Sequence, residues 1–427
     1  SNYFDSIDLS MLRESILSMT KCEDQVLIDL LFRIIEEISW KPDYLPYIKH
    51  RLPTINIKAI RLLGHSFLFE VDEILGRCSG KCFVRWMDDI VVGVNSRDEA
   101  IKMLNNVSDV LKSRGLALNL SKTNLYTNSD FEFNFLTNEN KYLDSLEHFK
   151  NFSGSEIIKV IIRFEAHLQN KKPKYWSKIT KRFITFFSKH KVDILKQIQS
   201  LYIEEPSLRQ SLSRYLIYIG YSRKTADFML GIYQNLHIYD DVSLFYLSNV
   251  LTTWQIPDTE EGKVFLDNIY KNIKNFGDPF QFYCLLWIKS KYADPKNFLT
   301  FIKKYKNKWK QHGFLRREVV SLLARLYLYD ELAVVSLLNE QVQSGIAAVV
   351  SIANLLLDFV KLDKLDKKLN AYLFPKNLND YSLSRFLVLC AILNSSKIRE
   401  SIDVKRKIKQ YIKDPYFKKW LKYYKVI

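Results

Sequence analysis

Residues 83–92 read Phe-Val-Arg-Trp-Met-Asp-Asp-Ile-Val-Val, two short apolar runs on either side of the adjacent carboxylates Asp88 and Asp89. β-Branched and aromatic residues favour strands and Asp favours turns, so the pattern predicts a β-hairpin. Two charges beside buried strands cost free energy unless a partner neutralises them. Mg²⁺ prefers carboxylate oxygens and commonly completes its shell with substrate phosphates. A solvated acidic turn is the alternative, and the surrounding sequence has to distinguish the two.

The chain is long and strongly basic. Its 427 residues, 47% of them hydrophobic, are enough for more than one globular domain. A formal net charge of +17 favours an anionic partner, above all nucleic acid, because clustered Lys and Arg displace phosphate counterions. An AT-rich coding sequence, which favours Lys, Asn, Ile, Tyr and Phe codons, is an alternative source of the same composition.

The cysteines and the apolar stretches favour a cytoplasmic protein without a membrane partner. Five scattered cysteines, an odd number, do not suggest a disulfide framework, and we interpret them as reduced thiols. The longest apolar stretch, residues 346–360, is interrupted by Ser351, Asn354 and Asp358 and is too short and polar to span a bilayer.

The first third of the chain mixes helix and strand signals. Apolar spacing of three and four predicts helices over residues 9–20, 24–38, 67–74 and 97–114, the last of them stopped by Gly115. Further strands are predicted at residues 116–120, 130–136 and 141–143. We place a domain boundary here, between a first domain of residues 1–146 and a second of residues 147–427.

The second domain is predicted to be helical throughout. Apolar helical faces such as Val319, Leu322, Leu323 and Leu326 follow one another with short Pro-containing breaks between them. This favours a HEAT-like helical array, with an ordinary irregular helical domain as the alternative.

Basic and aromatic residues occur together on several of these predicted helices. Aromatic rings can stack on unpaired bases while Lys side chains follow the phosphates. We therefore predict nucleic-acid contacts at Lys303, Lys306, Trp309, Lys418 and Trp420. The alternative is a solvated cationic face whose aromatic rings point into the core.

The order of motifs around the Asp88–Asp89 pair distinguishes the two interpretations of that pair. Tyr3-Phe4-Asp5 and Arg51-Leu52-Pro53 precede it, and Gly-Leu-Ala-Leu-Asn-Leu-Ser-Lys-Thr follows at residues 115–123. Over residues 1–126 this set resembles the palm domain of reverse transcriptases. The fold class it implies is α+β, a reverse-transcriptase palm with partial fingers, followed by the large all-α array.

The resemblance implies a role for six residues of this chain. Asp88 becomes the principal metal ligand and Asp89 the supporting carboxylate, with Mg²⁺ or Mn²⁺ as the metal. Lys122 falls near the departing pyrophosphate, where its charge could offset negative charge or supply a proton. The nucleotide-binding residues are Phe4, which would block the 2′-hydroxyl of an incoming nucleotide, with Tyr3 and with Trp86, which replaces the usual Tyr.

Two departures from the family pattern stand out. Counting back from Phe4, the position of the family's other metal-binding Asp falls two residues before Ser1. We therefore expect either that the upstream fingers are missing from this sequence or that the enzyme is cut there. Most reverse transcriptases have a Gly-Pro and a Ser after the Leu-Pro, and these small residues let the backbone approach template and nucleotide. In this chain residues 54–61 read Thr-Ile-Asn-Ile-Lys-Ala-Ile-Arg instead.

A palm followed by a long helical domain resembles the bacterial abortive-infection reverse transcriptases. That likeness implies antiviral defence, deoxynucleoside triphosphates as substrates, untemplated synthesis primed by a protein tyrosine, a single-stranded DNA product attached to it, and a homo-oligomer. One alternative is a templated, RNA-binding enzyme of the retron or group II intron kind. Another is an inactive palm that serves as a nucleic-acid-binding scaffold.

Overall fold

The computed structural model describes residues 3–38, 50–54, 57–148, 152–171, 173–273, 278–375 and 381–427. Within these ranges the protein is mostly helical, and its one sheet has two antiparallel strands. The chain folds into two compact units, residues 1–128 (unit 1) and 129–427 (unit 2). The boundary that we predict between residues 146 and 147 stays a prediction.

Unit 1 contains a hairpin among helices. Its elements are α1 Tyr3–Ser6, α2 Leu9–Thr20, α3 Gln25–Ile38, α4 Lys58–Ser66, α5 Phe69–Cys78, β1 Phe83–Trp86, β2 Asp89–Val92 and α6 Arg97–Ser113. The predicted hairpin and the helices predicted at residues 9–20, 24–38 and 97–114 are confirmed. α6 begins at the Ser96 cap, whose side chain accepts from the Glu99 amide, and it is followed by Gly115 at a φ of +68°.

The core of unit 1 forms where the apolar stripes of these helices meet. α6 buries Ala100, Met103, Val107 and Leu111, a spacing of three and four that puts them on one face. α5 packs against α6 and also contacts β1. The segment after residue 50 is joined to α2 by an isolated bridge between Asp8 and Arg51, whose side chains also form an ion pair of 3.1 Å.

Three predicted strands are wrong. Residues 116–120 end in a 3₁₀ turn, Leu120–Lys122, and residues 128–147 form two helices, α7 Asn128–Phe135 and α8 Thr137–Glu147. The alternating Phe residues of α7 favour a strand locally. In the helix, however, the rings of Phe131 and Phe135, four residues apart, stack at 4.1 Å, and Phe135 stacks on Tyr175 at 4.2 Å.

Unit 2 continues as helices only, in the part of it that the structure describes. They are α9 Gly154–Gln169, α10 Trp176–His190, α11 Leu195–Glu204, α12 Arg209–Ile219, α13 Arg223–Gln234, α14 Asp241–Thr253, α15 Glu260–Asn272, α16 Pro279–Tyr292, α17 Pro295–Lys304, α18 Lys306–Trp309, α19 Gly313–Leu323, α20 Glu331–Val342, α21 Ala347–Phe359, α22 Lys367–Leu373, α23 Leu383–Leu393, α24 Ser396–Glu400, α25 Ile402–Tyr411 and α26 Pro415–Tyr423.

Alternate helices of unit 2 stack on one another. α10, α12, α14 and α16 contact each other in that order, and the series continues through α19 and α21 to α23. α11, α13 and α15 form a second, parallel series. This alternation buries one continuous core along the unit. The assignment of the array to the HEAT-like class stays a prediction.

The last helix does not extend the stack but returns to its middle. α26 contacts α16, and the buried Lys291 ammonium of α16 lies 2.7 Å from the buried Asp414 carboxylate that caps α26. The Trp420 indole donates to the Lys291 carbonyl oxygen at 2.7 Å. The C-terminus is therefore fixed to unit 2 by polar contacts between residues more than a hundred positions apart in sequence.

Across the described ranges, no helix has both the length and the apolar character that crossing a membrane would require.

Candidate active site

The paired carboxylates lie where the hairpin turns. Trp86 pairs with Asp89 across the strands, so Met87 and Asp88 form a two-residue loop. Met87 adopts a φ of +57°, a left-handed conformation that costs a residue with a β-carbon about 1–2 kcal/mol. Its side chain nevertheless packs against the core of unit 1. The turn therefore holds a strained backbone directly before Asp88.

The two faces of the hairpin have different surroundings. Phe83, Arg85, Ile90 and Val92 face the core side, whereas the side chains between them are exposed. Trp86 is 76% exposed and shares this open face with its cross-strand partner Asp89. A broad aromatic surface thus lies beside the second carboxylate.

Tyr3 connects the start of the chain to the carboxylate turn. Its hydroxyl donates to the Gly64 carbonyl oxygen of α4 at 2.6 Å. Burial raises the pKa of this hydroxyl well above its usual value; the charge of Arg85 opposes the rise, and the negative charge of Asp88 adds to it. Tyr3 therefore lies within electrostatic reach of Asp88.

The Phe4 ring, from α1, packs against α4 at the same residue, Gly64. A β-carbon placed on Gly64 would come 2.8 Å from the Cε1 atom of the Phe4 ring and 3.5 Å from the Cε atom of Met87. The distance to the Phe4 ring is too short for a β-carbon, so glycine leaves room for that ring, whereas the distance to Met87 is an ordinary contact. The structure thus brings together Tyr3, Phe4 and Met87, the residue before Asp88. Sequence reasoning missed Gly64, because the helix predicted in this part of the chain starts only at residue 67, whereas α4 spans Lys58–Ser66.

Arg85 is the second residue of the site that sequence reasoning missed. Only 2% of its side chain is exposed, and it forms a 2.5 Å ion pair with Asp72 of α5. A charge in the middle of a strand is a signal that the sequence offers, because a buried Arg requires a partner.

Lys122 lies in the exposed 3₁₀ turn Leu120–Lys122, where its amide donates to the Asn119 carbonyl oxygen. Its proximity to a leaving pyrophosphate rests on the sequence pattern and stays a prediction.

The donor chemistry of the turn fits Mg²⁺ or Mn²⁺. Asp88 and Asp89 are adjacent, exposed carboxylates, and Mg²⁺ sites use one or two carboxylates together with substrate phosphates and water. The described residues contain no group of three or more His, Cys, Asp or Glu side chains that could hold a metal. The two carboxylates would therefore be supplemented by substrate oxygens.

Residues 1–144 match the family model described as reverse transcriptase (RNA-dependent DNA polymerase). The chain carries a reverse transcriptase domain. The matched residues include the hairpin, Phe4, Gly64 and Lys122, so the site described above lies within this domain. Comparison of the chain with curated proteins and with solved structures gave no significant match.

The atypical segment of the reverse transcriptase domain, residues 54–61, leads into α4. Ile55 and Asn56 lie outside the described residues. Thr54 donates to the Asp5 carboxylate at 2.9 Å, and Lys58 already belongs to α4. Asp5 and Asp8 are engaged in such local contacts: Asp8 caps α2, and a hydrogen bond from the Ser10 side chain lowers the pKa of its carboxyl.

The predicted nucleic-acid contacts need correction at both tryptophans. Trp309 is fully buried and donates to the Ile302 carbonyl oxygen, while Trp420 is 2% exposed and lies under Arg325. Neither indole has an open face on which a base could stack. The apolar surface of both rings is used to form the core of unit 2.

The predicted lysines differ from one another. Lys303 lies 3.9 Å from Asp330, and Lys306 lies 2.5 Å from Glu340, so acidic groups offset their charge. Lys418 is exposed on α26, as is Tyr423, which is 52% exposed. Tyr423, rather than Trp420, offers an accessible ring among the lysines of this helix.

A further basic surface lies on α10. Lys181, Thr185 and Lys189 recur at a spacing of four and line a cleft of about 370 Å³ between α8 and α10. Asp144 and Glu147 of α8 pair with Arg182. Among the described residues no acidic side chain forms an ion pair with Lys181 or Lys189. The helical spacing of these lysines, opposite the buried Phe183 and Phe187, was visible in the sequence.

Proposed function

We propose that this protein is a DNA polymerase that joins deoxynucleotides at Asp88 and Asp89. One observation carries the proposal: Asp88 in the turn of a hairpin and Asp89 directly after it lie inside the segment that matches the reverse transcriptase model. Phe4, packed on Gly64, supports deoxynucleotide selection, because a fixed aromatic ring beside the sugar would clash with a 2′-hydroxyl.

The reaction is in-line nucleotidyl transfer. A hydroxyl oxygen attacks the α-phosphorus, the new phosphodiester bond forms, and the bond to pyrophosphate breaks. Asp88 and Asp89 would hold the metal, and Phe4 would position the sugar. Lys122 would give a proton or a compensating charge to the leaving pyrophosphate. When bound, Mg²⁺ or Mn²⁺ lowers the pKa of the attacking hydroxyl and offsets the charge of the triphosphate.

We further propose that synthesis proceeds without a template and begins on a protein tyrosine. The support is residues 54–61, where bulky residues stand in place of the glycine and serine that let the backbone approach a template. The resemblance to abortive-infection enzymes extends the proposal to antiviral defence in the cytoplasm, a covalent single-stranded DNA product and a homo-oligomer.

The test incubates the protein with labelled deoxynucleotides and Mg²⁺, with and without an RNA template. We expect product without template, and we expect Asp88→Asn to reduce its rate by about a hundredfold or more. Asp109→Asn, at an exposed position of α6, is the matched control and should leave the rate unchanged.

The outcomes separate the three functions. Product that requires RNA and is complementary to it would replace untemplated synthesis by templated synthesis. Wild-type protein that binds nucleic acid but incorporates no nucleotide would support the inactive scaffold. Asp88→Asn protein that matches the wild-type rate would remove the assignment of the site.

A further inference from the structure

The Arg85 guanidinium is saturated with acceptors. Its Nε and Nη2 atoms donate to the two Asp72 carboxylate oxygens at 2.6 and 2.5 Å, and Nη2 also donates to the His65 carbonyl oxygen at 3.2 Å. Nη1 donates to Nδ1 of the His65 ring at 3.2 Å and to the Met87 carbonyl oxygen at 2.8 Å. All five N–H groups that Arg possesses therefore have an acceptor.

One of these acceptors belongs to the carboxylate turn. The Met87 carbonyl precedes the amide of Asp88, and Met87 is the residue with the left-handed backbone. Such conformations persist only when their surroundings hold them. The Arg85 bond fixes the peptide plane between Met87 and Asp88, and hence the direction in which the Asp88 side chain leaves the backbone.

The other acceptors fix Arg85 itself. Asp72 lies on α5 and His65 on α4, so the guanidinium links two helices to the turn. The fork geometry of Arg and carboxylate allows two parallel bonds, which hold the plane of the guanidinium as well as its position. A Lys at this position has three donors on a flexible stem and could not satisfy the same five acceptors.

We propose that Arg85, held by Asp72, is a positioning residue for the metal-binding turn. Arg85 touches neither metal nor substrate in this role; it acts through the backbone of Met87 and Asp88. The inference rests on the proposed function of Asp88 and adds to it the device that fixes the carboxylate direction before substrate arrives.

The test compares three variants of the full chain: Arg85→Lys, Asp72→Asn and the control Arg114→Lys. Arg114 pairs with Glu70 and so joins α6 to α5 in the same unit. The Arg114–Glu70 pair is thus an Arg–carboxylate ion pair like Arg85–Asp72, but within the described residues it does not contact the carboxylate turn. Two quantities are measured well below the melting temperature of each variant. Electron paramagnetic resonance gives the affinity for Mn²⁺ without nucleotide, and activity assays give the Mg²⁺ concentration for half-maximal deoxynucleotide incorporation.

We expect Arg85→Lys and Asp72→Asn to weaken Mn²⁺ binding and raise the Mg²⁺ requirement by about tenfold or more. Arg114→Lys should lower the melting temperature yet leave both metal constants unchanged. If Arg85→Lys does not fold, Asp72→Asn provides the same comparison, because Asn keeps the shape of Asp and one acceptor oxygen.

Folded Arg85→Lys or Asp72→Asn protein with the wild-type metal constants would overturn the inference and leave the proposed function intact. Equal losses of metal affinity in all three variants would also overturn it, since the effect would then follow stability alone. Wild-type protein that neither binds Mn²⁺ nor incorporates nucleotide would instead contradict the proposed function.

Discussion

Gly64 shows how a residue without a side chain shapes the candidate site. It lies inside α4, where glycine costs about 1 kcal/mol relative to alanine. The cost is offset because the Phe4 ring occupies the space of the absent β-carbon. The placement of the Phe4 ring therefore depends on this position.

We expect Gly64→Ala to displace the Phe4 ring. The overpacking should lower the free energy of unfolding by about 1–3 kcal/mol, partly offset by the better helix propensity of alanine. It should also reduce discrimination between deoxynucleotides and ribonucleotides, measured as the ratio of their incorporation rates. Denaturant titration gives the stability change.

Gly76→Ala is the control for this prediction. A β-carbon at Gly76, in α5, meets its nearest atom, Cε1 of Phe83, at 3.9 Å, an ordinary contact. That variant should be as stable as wild type or more so, with unchanged nucleotide discrimination. A Gly64→Ala protein with wild-type stability and discrimination would show that Phe4 does not depend on this space.

His167 is a buried residue whose charge is coupled to stability. Thr180 uses its hydroxyl proton to donate to the Trp176 carbonyl oxygen, so Nε2 of His167 donates to Thr180 at 2.8 Å. Burial lowers the pKa of His167, and the negative charge of Glu139 opposes this. The folded protein therefore favours the neutral ring.

We expect acid to destabilise unit 2 through His167. Its folded pKa lies below the unfolded value of about 6.5, so its contribution is complete above that pH and is lost as the pH falls below it. His167→Gln should flatten the fall in melting temperature between about pH 7 and 5. The control His237→Gln, at an exposed position, should keep the wild-type dependence of melting temperature on pH. The same wild-type dependence in His167→Gln would show that His167 is not the titrating group.

At the scale of elements, α26 shows how helices distant in sequence are joined. Lys291 and Asp414 are 1% and 5% exposed, and Lys291 also donates to the carbonyl oxygens of Thr252 and Trp254. Arg325 donates to the carbonyl oxygens of Lys289, Ser290 and Ala293 at the C-terminal end of α16. Cations thus satisfy the carbonyls that a helix end leaves open.

We expect Lys291→Met to lower the free energy of unfolding by about 3–5 kcal/mol, because it leaves Asp414 buried without its cation. Adding Asp414→Asn should recover part of this loss, since Asn is neutral and still caps α26. The exposed pair of Lys263 and Glu260 is the control, and Lys263→Met should cost less than about 1 kcal/mol. If Lys291→Met and Lys263→Met lowered the free energy of unfolding equally, the buried Lys291–Asp414 pair would not have the stabilising role assigned to it.

At the scale of the whole molecule, the two units differ in charge. Residues 129–427 contain 48 Lys and Arg against 30 Asp and Glu, a net charge of +18, whereas residues 1–128 contain 16 against 17. The carboxylates of the candidate site belong to a nearly neutral unit. The positive net charge of the chain therefore resides in unit 2.

We expect the lysines of the α10 cleft to contact nucleic-acid phosphates. Replacing Lys181 and Lys189 by Gln should weaken binding of single-stranded DNA and reduce the slope of log K against log salt by about 1.4, at about 0.7 per phosphate contact. Fluorescence anisotropy at several salt concentrations measures both quantities.

Lys306→Gln with Lys310→Gln is the matched control, because both lysines already pair with Glu340. We expect this double variant to change the affinity for single-stranded DNA and the salt slope less than the Lys181 and Lys189 substitutions do. A larger effect there than on α10 would place the nucleic acid on α18, as the sequence pattern predicts.

Part of this protein could be predicted from local sequence. Side-chain alternation, helical spacing and a glycine signal all act within a few residues. They predict the hairpin at residues 83–92, the helices at residues 9–20, 24–38 and 97–114, and the end of α6 before Gly115, whereas they did not predict α4. The candidate carboxylates and their position at a turn followed from the same pattern. The strand predicted at residues 130–136 is wrong because the alternation of these residues favours a strand locally, while the contact of Phe135 with Tyr175 favours the helix.

The sequence by itself determined the helices at residues 9–20, 24–38 and 97–114, where the charge lies and that Asp88 and Asp89 lie at a hairpin turn, since these depend on neighbours along the chain. Only the tertiary structure decided that Arg85 binds the carbonyl before Asp88, that Trp309 and Trp420 are buried, and that α26 returns to α16. Those features depend on which distant surfaces meet, and burial of apolar area and pairing of buried charges select among many arrangements that the local pattern allows equally.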